Sequence, residues 1–234
     1  MITAAALVPH PPLLLRELGG GHDGVARLRT AALDAVRAVV GGADRVVLVG
    51  PADECATWDA AAVVDVRRFG TTGERPSGEP LPLSLAVGVR LLAEAGWTGP
   101  VDRVGVAWDS TDEELEALAG RLSTAPGRAA VVLLGDGSAR RGEQAPGHLD
   151  QRAFAFDDGL ADALAAGDAG TLAGLDVVLA AELMVLGRST LRLLGLLALR
   201  EGQAPRAALT HRDDPHGVSY LVATWRFPAL TGER

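Results

Sequence analysis

Residues 1–12, MITAAALVPHPP, combine a short apolar run with a histidine framed by prolines. The run Ile2–Val8 has no polar face, and a short, wholly apolar run of this kind is typical of a strand buried on both sides of a sheet. Pro9 and Pro11 fix the backbone around His10 and remove an amide donor on each side of it. The sequence therefore predicts a buried first strand that ends in a rigidly held imidazole.

Further apolar runs alternate with helical patterns along the rest of the chain. The predicted strands cover residues 45–49, 62–66, 101–107, 129–134, 206–210 and 219–225, in addition to the first. The predicted helices cover residues 25–40, 83–95, 112–122, 150–166, 169–175 and 177–199, with a break near Gly187. This alternation predicts a three-layer α-β-α sandwich with a central mixed, mostly parallel sheet, in a single domain spanning residues 1–234.

Two local features refine this prediction. Ser110 is predicted to cap the helix at 112–122, with Glu113 completing a capping box. Segment 70–82, GTTGERPSGEPLP, is rich in glycine and proline. Loops of this length inside a compact domain are often lids or walls of functional sites, so we expect this segment to border one.

The composition excludes several functional classes. All 22 basic residues are arginine, because the chain has no lysine. Schiff-base chemistry and P-loop phosphate binding are therefore excluded. Cys55 is the only cysteine, which rules out an intrachain disulfide and a Cys-rich metal site. A net charge of −8 and a pI near 5.1, with dispersed arginines, argue against nucleic-acid binding.

The sequence also predicts a soluble, cytoplasmic protein. The opening segment has no basic region, and Pro9 and His10 interrupt its apolar run, so it does not have the pattern of a signal peptide. No apolar stretch approaches the roughly 18 residues that a membrane-spanning helix needs. The apolar helical C-terminal half favours a homodimer.

The carboxyl ends of parallel strands gather ligand-binding residues in open α/β sheets. By this rule one edge of the predicted sheet gathers His10, Asp53, Glu54, Asp136 and Ser138. A histidine among carboxylates suits either a divalent metal or acid–base chemistry. Arg140, just beyond Ser138, is placed to bind a carboxylate ligand, or else is solvated or paired within its own loop.

Three further residues are candidates outside the strand ends. Glu182 lies in an apolar helical stretch, where a carboxylate is costly unless it is paired, protonated or bound to a metal. Pairing with an arginine such as Arg188 is its structural alternative. His148 and His216 lie in loops and are candidates for proton transfer.

Four segments of the chain resemble the catalytic B subunit of class III extradiol ring-cleavage dioxygenases and the related Memo family. They are residues 5–12, 44–51, 131–138 and 180–183, and further motifs are similar to an alanine-rich actinobacterial branch. The resemblance implies the same fold and a non-haem ferrous ion held by His10 and Glu182. The position of the second histidine ligand is occupied by Asp53, and that of the catalytic histidine by Ala139.

These departures leave two functions open. In the first, a metal held by His10, Asp53 and Glu182 acts on a small aromatic or carbonyl compound, and His148 or His216 supplies the missing proton-transfer group. The ion would be Fe²⁺ if the family activity is kept, and Zn²⁺, Mn²⁺ or Mg²⁺ in a more oxygen-rich site. In the second, the crevice binds a small molecule without turning it over. In either case Asp136, Ser138 and Arg140 are expected to contact the ligand, and an oligomeric structural role without a site is the third alternative.

Overall fold

The computed structural model describes residues 1–18, 24–70 and 76–228. The strands are β1 (Ile2–Val8), β2 (Arg45–Ala52), β3 (Ala56–Trp58), β4 (Val101–Ala107), β5 (Ala129–Leu134), β6 (Arg206–Asp213) and β7 (Tyr220–Arg226). The helices are α1 (Ala26–Val40), α2 (Leu83–Glu94), α3 (Asp112–Thr124), α4 (Arg152–Ala166), α5 (Ala169–Ala173), α6 (Val177–Glu182) and α7 (Arg188–Glu201).

The strands form one mixed sheet in the order β3-β4-β2-β5-β1-β7-β6. The four neighbouring strands β4, β2, β5 and β1 are parallel to one another. The strands β3, β7 and β6 are each antiparallel to an inner neighbour. With helices on both faces, the structure confirms the predicted α/β sandwich with a mostly parallel sheet.

The central strands are apolar on both faces because each face is covered by helices. In β5, Val131 and Leu133 belong to the core beneath α3, α4 and α7. Val132 and Leu134 belong to the opposite core, beneath α1 and α2. A strand covered on both sides needs a continuous apolar run, and this explains the sequence pattern from which the strands were predicted.

The two helical layers differ in size. Helices α1 and α2 pack on one face, and α3 to α7 pack on the other. Helix α7 lies deepest: its residues from Ser189 to Ala198 are buried. Among the described residues, no helix combines the length and apolar character required to span a membrane.

Two local predictions were wrong, and one short strand was missed. Residues 62–66 do not form a strand; they contribute one isolated bridge, between Val63 and Pro80. The capping box of α3 is made by Thr111 and Glu114, one residue later than predicted. Ser110 instead donates its hydroxyl to the carbonyl of Ala107, which closes the turn after β4. The predicted helix break near Gly187 is confirmed, because α6 ends at Glu182 and α7 begins at Arg188. The short strand β3 was not predicted.

Candidate functional site

A cavity of about 490 Å³ opens at the carboxyl ends of the parallel strands. Its size is in the range of small-molecule sites. It is lined by His10, by three carboxylates, by two tryptophans and by apolar side chains and prolines. These residues are His10, Pro51, Ala52, Asp53, Glu54, Trp58, Glu79, Pro80, Leu81, Pro82, Leu83, Ser84, Trp108 and Leu186. The sheet edge predicted to carry the site thus borders a cavity, and His10 and Asp53 both line it.

His10 and Asp136 form a pair at the ends of the adjacent strands β1 and β5. The backbone amide of His10 donates a hydrogen bond of 2.9 Å to Oδ1 of Asp136. The imidazole Nδ1 lies 3.5 Å from the same oxygen. This is longer than a well-formed hydrogen bond, and Nδ1 has no hydrogen-bond partner among the described residues. Because Nδ1 faces Asp136, Nε2 is the ring nitrogen available to a ligand in the cavity.

Burial controls the electrostatics of this pair. The His10 residue is only 6% exposed, and the Asp136 side chain is 14% exposed. Burial raises the pKa of Asp136, and the nearby His10 acts in the opposite direction. Burial and the adjacent Asp136 carboxyl also raise the pKa of Tyr220, so this phenol stays protonated at neutral pH. Any positive charge that forms on His10 therefore favours the ionised form of Asp136.

The Asp136 turn is held in place by the start of α7. Thr190 donates its hydroxyl to the carbonyl of Leu134, the last residue of β5, at 2.9 Å. Gly187 lies so close to this turn that an added Cβ would meet the Cα of Gly135 at 2.7 Å and the backbone of Asp136 at 2.8 Å. A glycine is therefore required where α7 approaches the site, and the position of Asp136 depends on that approach.

The other walls of the cavity are also fixed by hydrogen bonds. Ser84 of α2 donates to the carbonyl of Pro51 at 2.7 Å, and Ser189 of α7 donates to the carbonyl of Trp108 at 3.0 Å. The amide of Val63 donates to the carbonyl of Glu79 at 2.8 Å. Residues 79–82 of the predicted wall segment thus border the cavity, whereas residues 71–75 lie outside the described part of the chain.

Glu182 does not line this cavity. Its carboxylate accepts a hydrogen bond of 2.6 Å from Nη1 of Arg152, and its side chain is 51% exposed. Within the described ranges, no three His, Cys, Asp or Glu side chains are grouped as metal ligands. His10, Asp53 and Glu182 therefore do not fit a shared three-ligand centre in this arrangement. The predicted partner Arg188 instead donates to the carbonyl of Val185 at 3.1 Å.

Ser138 and Arg140, expected to contact the ligand, are not among the lining residues. Ser138 is fully buried, and its hydroxyl donates to Oδ2 of Asp157 at 2.5 Å. The aliphatic part of Arg140 packs against Gly147, and its Nε is buried without a hydrogen-bond partner among the described residues. Both side chains pack within the loop after β5. Of the three residues predicted to contact the ligand, only Asp136 contacts a residue that lines the cavity, His10.

The structure brings neither candidate loop histidine to the cavity. His148 is exposed and has a φ of 56°, in the left-handed region. His216 is exposed and lines a separate hollow with Arg141 and Pro215. Among the described residues, His10 is the only histidine that lines the cavity at the sheet edge.

Sequence reasoning missed the aromatic part of the site. Trp58 and Trp108 line the cavity, although scattered tryptophans had no predicted role in binding. Trp108 directly follows β4 and obeys the same strand-end rule that selected Asp53 and Asp136. Tyr220, whose pKa Asp136 helps to raise, opens the antiparallel strand β7 and lay outside that rule.

Comparisons with known proteins support the fold. No protein-family model matches the chain, and no curated protein matches it. Its structure is similar to the crystal structure of an uncharacterized protein from Escherichia coli K12, with a TM-score of 0.53 at 12% sequence identity. The match covers 95% of this chain and 99% of the other. At this identity the likeness shows a shared fold only.

Proposed function

We propose that this protein is a small-molecule enzyme in which His10, positioned by Asp136, transfers a proton to or from an aromatic or carbonyl compound. The observation that carries this proposal is the buried His10–Asp136 pair beside a cavity of about 490 Å³. A carboxylate behind an imidazole fixes its orientation and stabilises its protonated form. Trp58 and Trp108 give the cavity flat apolar surfaces suited to a ring or a planar carbonyl group.

The proton transfer needs only residues of this chain. Nε2 of neutral His10 accepts a proton from a bound phenol, or from a carbon next to a carbonyl group. The ligand is left as a phenolate or an enolate, and the imidazole becomes positively charged beside Asp136. The reverse transfer, to another atom of the ligand, restores neutral His10. The contact of 3.5 Å between Nδ1 and Asp136 would shorten as charge develops, since catalytic hydrogen bonds are often long before a ligand binds.

The two functions that the sequence left open predict different results. A binding module would hold the same ligands without exchanging their protons. A ring-cleavage dioxygenase would require a ferrous ion and would consume oxygen. The proposed enzyme exchanges ligand protons with the solvent, and this exchange is the property that distinguishes it.

Metal binding stays a prediction of the family resemblance. His10 and Asp53 line one cavity, whereas Glu182 does not line it and is paired with Arg152. The proposed proton transfer therefore uses no metal. We expect protein purified without a histidine tag to hold a divalent ion below stoichiometric amounts when measured by elemental analysis. A stoichiometric ion that is lost in both His10→Ala and Glu182→Ala would contradict this, and would favour the metal-dependent alternative. Oxygen uptake with catechols after anaerobic loading with Fe²⁺ would then test ring cleavage.

The proposal is tested with a panel of phenols, catechols, aldehydes and 2-oxo acids. Ligand-detected NMR should identify binders, and in D₂O the protein should catalyse exchange of protons next to a carbonyl or on the ring of a phenol. Leu186→Trp, which narrows the cavity mouth, should weaken binding. Leu186 is 39% exposed, so the larger side chain can be accommodated.

Val178→Trp is the matched control, because Val178 is 66% exposed and does not line the cavity. It should bind the panel as the unmodified protein does. Binding without proton exchange would favour the non-catalytic module. Binding that Leu186→Trp leaves unchanged would place the ligand elsewhere and overturn the proposal.

A further inference from the structure

We infer that the cavity selects positively charged ligands: small aromatic compounds that carry an ammonium group. This inference rests on the proposed function and specifies the class of substrate that the same site accepts. Asp53, Glu54 and Glu79 all line the cavity, and carboxylates are negatively charged at neutral pH. Trp58 and Trp108 line it with them, and the face of an indole attracts cations.

Among the described residues, no arginine lines the cavity to offset these carboxylates. The described lining residues include no arginine, and the chain has no lysine. Asp53, Glu54 and Glu79 form no ion pair with any described residue. In contrast, several exposed carboxylates elsewhere on the protein are paired with an arginine, as Glu116 is with Arg200 and Asp158 is with Arg212. A cationic ligand would therefore supply the charge that the cavity lacks.

The arginine nearest in sequence to the lining residues does not change this conclusion. Arg188 follows Leu186 by two positions and begins α7. It is not a lining residue, and its guanidinium donates to the carbonyl of Val185. Burial lowers the pKa of Arg188, with Asp109 acting in the opposite direction. An anionic ligand in the cavity would thus meet three carboxylates without a lining cation to bind it.

The buried His10 defines which end of the ligand reacts. Its residue is 6% exposed, and its Nδ1 has no hydrogen-bond partner among the described residues. The three carboxylates are exposed, so they lie toward the solvent side of the cavity. A ligand with a phenol at one end and an ammonium group at the other would place the phenol at His10 and the ammonium near the carboxylates.

The experiment compares three phenols of matched size and different charge. Tyramine is cationic, 2-(4-hydroxyphenyl)ethanol is neutral, and 4-hydroxyphenylacetate is anionic. Their dissociation constants are measured by titration calorimetry or NMR at low salt. We expect tyramine to bind about ten-fold more tightly than the neutral compound, since several exposed charge pairs and a cation–π contact each add a modest contribution. The anionic compound should bind most weakly.

Removing two of the three carboxylates should reduce the preference. In Glu54→Gln/Glu79→Gln the advantage of tyramine over the neutral compound should fall to about two-fold, with less change for the neutral compound itself, because fewer charge pairs remain. Asp162→Asn is the control, since Asp162 is exposed on α4 and does not line the cavity. It should keep the ten-fold preference, which shows that the effect comes from the cavity and not from net charge.

The outcomes separate this inference from the proposed function. Equal binding of the three phenols, or tighter binding of the anion, overturns the charge preference and leaves proton transfer by His10 standing. A tyramine preference that stays near ten-fold in Glu54→Gln/Glu79→Gln also overturns it. Binding of none of the three overturns it as well, while the larger panel with Leu186→Trp decides the proposed function independently.

Discussion

Replacing His10 by Gln should lower the rate of ligand proton exchange by about 10²–10⁴-fold, the usual contribution of a positioned acid–base group. Gln keeps an amide near the position of the ring but cannot accept and release a proton at neutral pH. His10 is one of many residues that line the cavity. The dissociation constant of the ligand should therefore change far less than the rate of proton exchange. The measurement is deuterium incorporation into the panel compound with the fastest exchange, at saturating and at limiting concentrations.

Asp136→Asn separates positioning from catalysis. Asp136 acts through His10, so its replacement should lower kcat more than it changes KM, and should shift the pH profile of exchange because the charge behind the imidazole is lost. His216→Gln and His148→Asn are controls, since both histidines are exposed and lie away from the cavity; Asn suits the left-handed backbone at residue 148. Full activity in His10→Gln would show that His10 is not the acid–base group, and loss of activity in a control would show that the exposed histidine contributes to the exchange.

Asp157→Ala should lower the free energy of unfolding by about 2–6 kcal/mol, because two buried donors of Ser138 lose their acceptor at a cost of about 1–3 kcal/mol each. Asp157 is fully buried and accepts hydrogen bonds from the amide and hydroxyl of Ser138, at 3.0 and 2.5 Å. Nη1 of Arg141 lies 3.4 Å from its Oδ2. The Ala variant removes these acceptors, and Arg141 keeps only Asp214, at 2.6 Å, as an ionic partner.

The free energy of unfolding that Asp157→Ala loses should increase as the pH falls. Burial raises the pKa of Asp157 above the ordinary value of 3.8, which outweighs the opposing effect of Ser138 and Arg141. A raised folded-state pKa means that the stabilisation is complete below 3.8 and is lost as the pH rises through the folded-state value. The gap between the unmodified protein and Asp157→Ala should therefore widen as the pH falls from neutrality toward 3.8, in urea denaturation at a series of pH values.

Asp158→Ala provides the neighbouring control. Asp158 follows Asp157 on α4, but its side chain is 60% exposed and pairs with Arg212 at the surface. Exposed pairs contribute little to stability, so this variant should lose only a small fraction of what Asp157→Ala loses. If the difference in stability between the unmodified protein and Asp157→Ala became smaller on acidification, the ion pair with Arg141 would dominate over burial at Asp157.

The sequence predicted the parts of the site that follow from local patterns. Strands buried on both faces gave unbroken apolar runs, and β1, β4 and β5 begin and end where those runs do. The strand-end rule then placed His10 and Asp53 beside the cavity and Asp136 next to His10. Each of these conclusions needs only the period of the pattern and the direction of the chain.

The sequence could not predict the contacts that depend on distant parts of the chain. Arg152 pairs with Glu182 across 30 positions, and Asp157 binds Ser138 across 19, so both partners were hidden from any local reading. The run at 62–66 has the composition of a strand, but its pairing consists of one isolated bridge between Val63 and Pro80. Proline has no amide to donate, which limits further pairing there.

The place of β1 in the sheet has a consequence for folding. His10 follows the end of this strand, which pairs with β5 through Leu7 and Leu133 and with β7 through Leu7 and Ala223. Both partners are synthesised long after β1, and pairing between such distant segments is slow to form. The first strand can therefore complete its pairing only after the last strand has been made, and His10 can meet Asp136 only after β5 and its turn have been made.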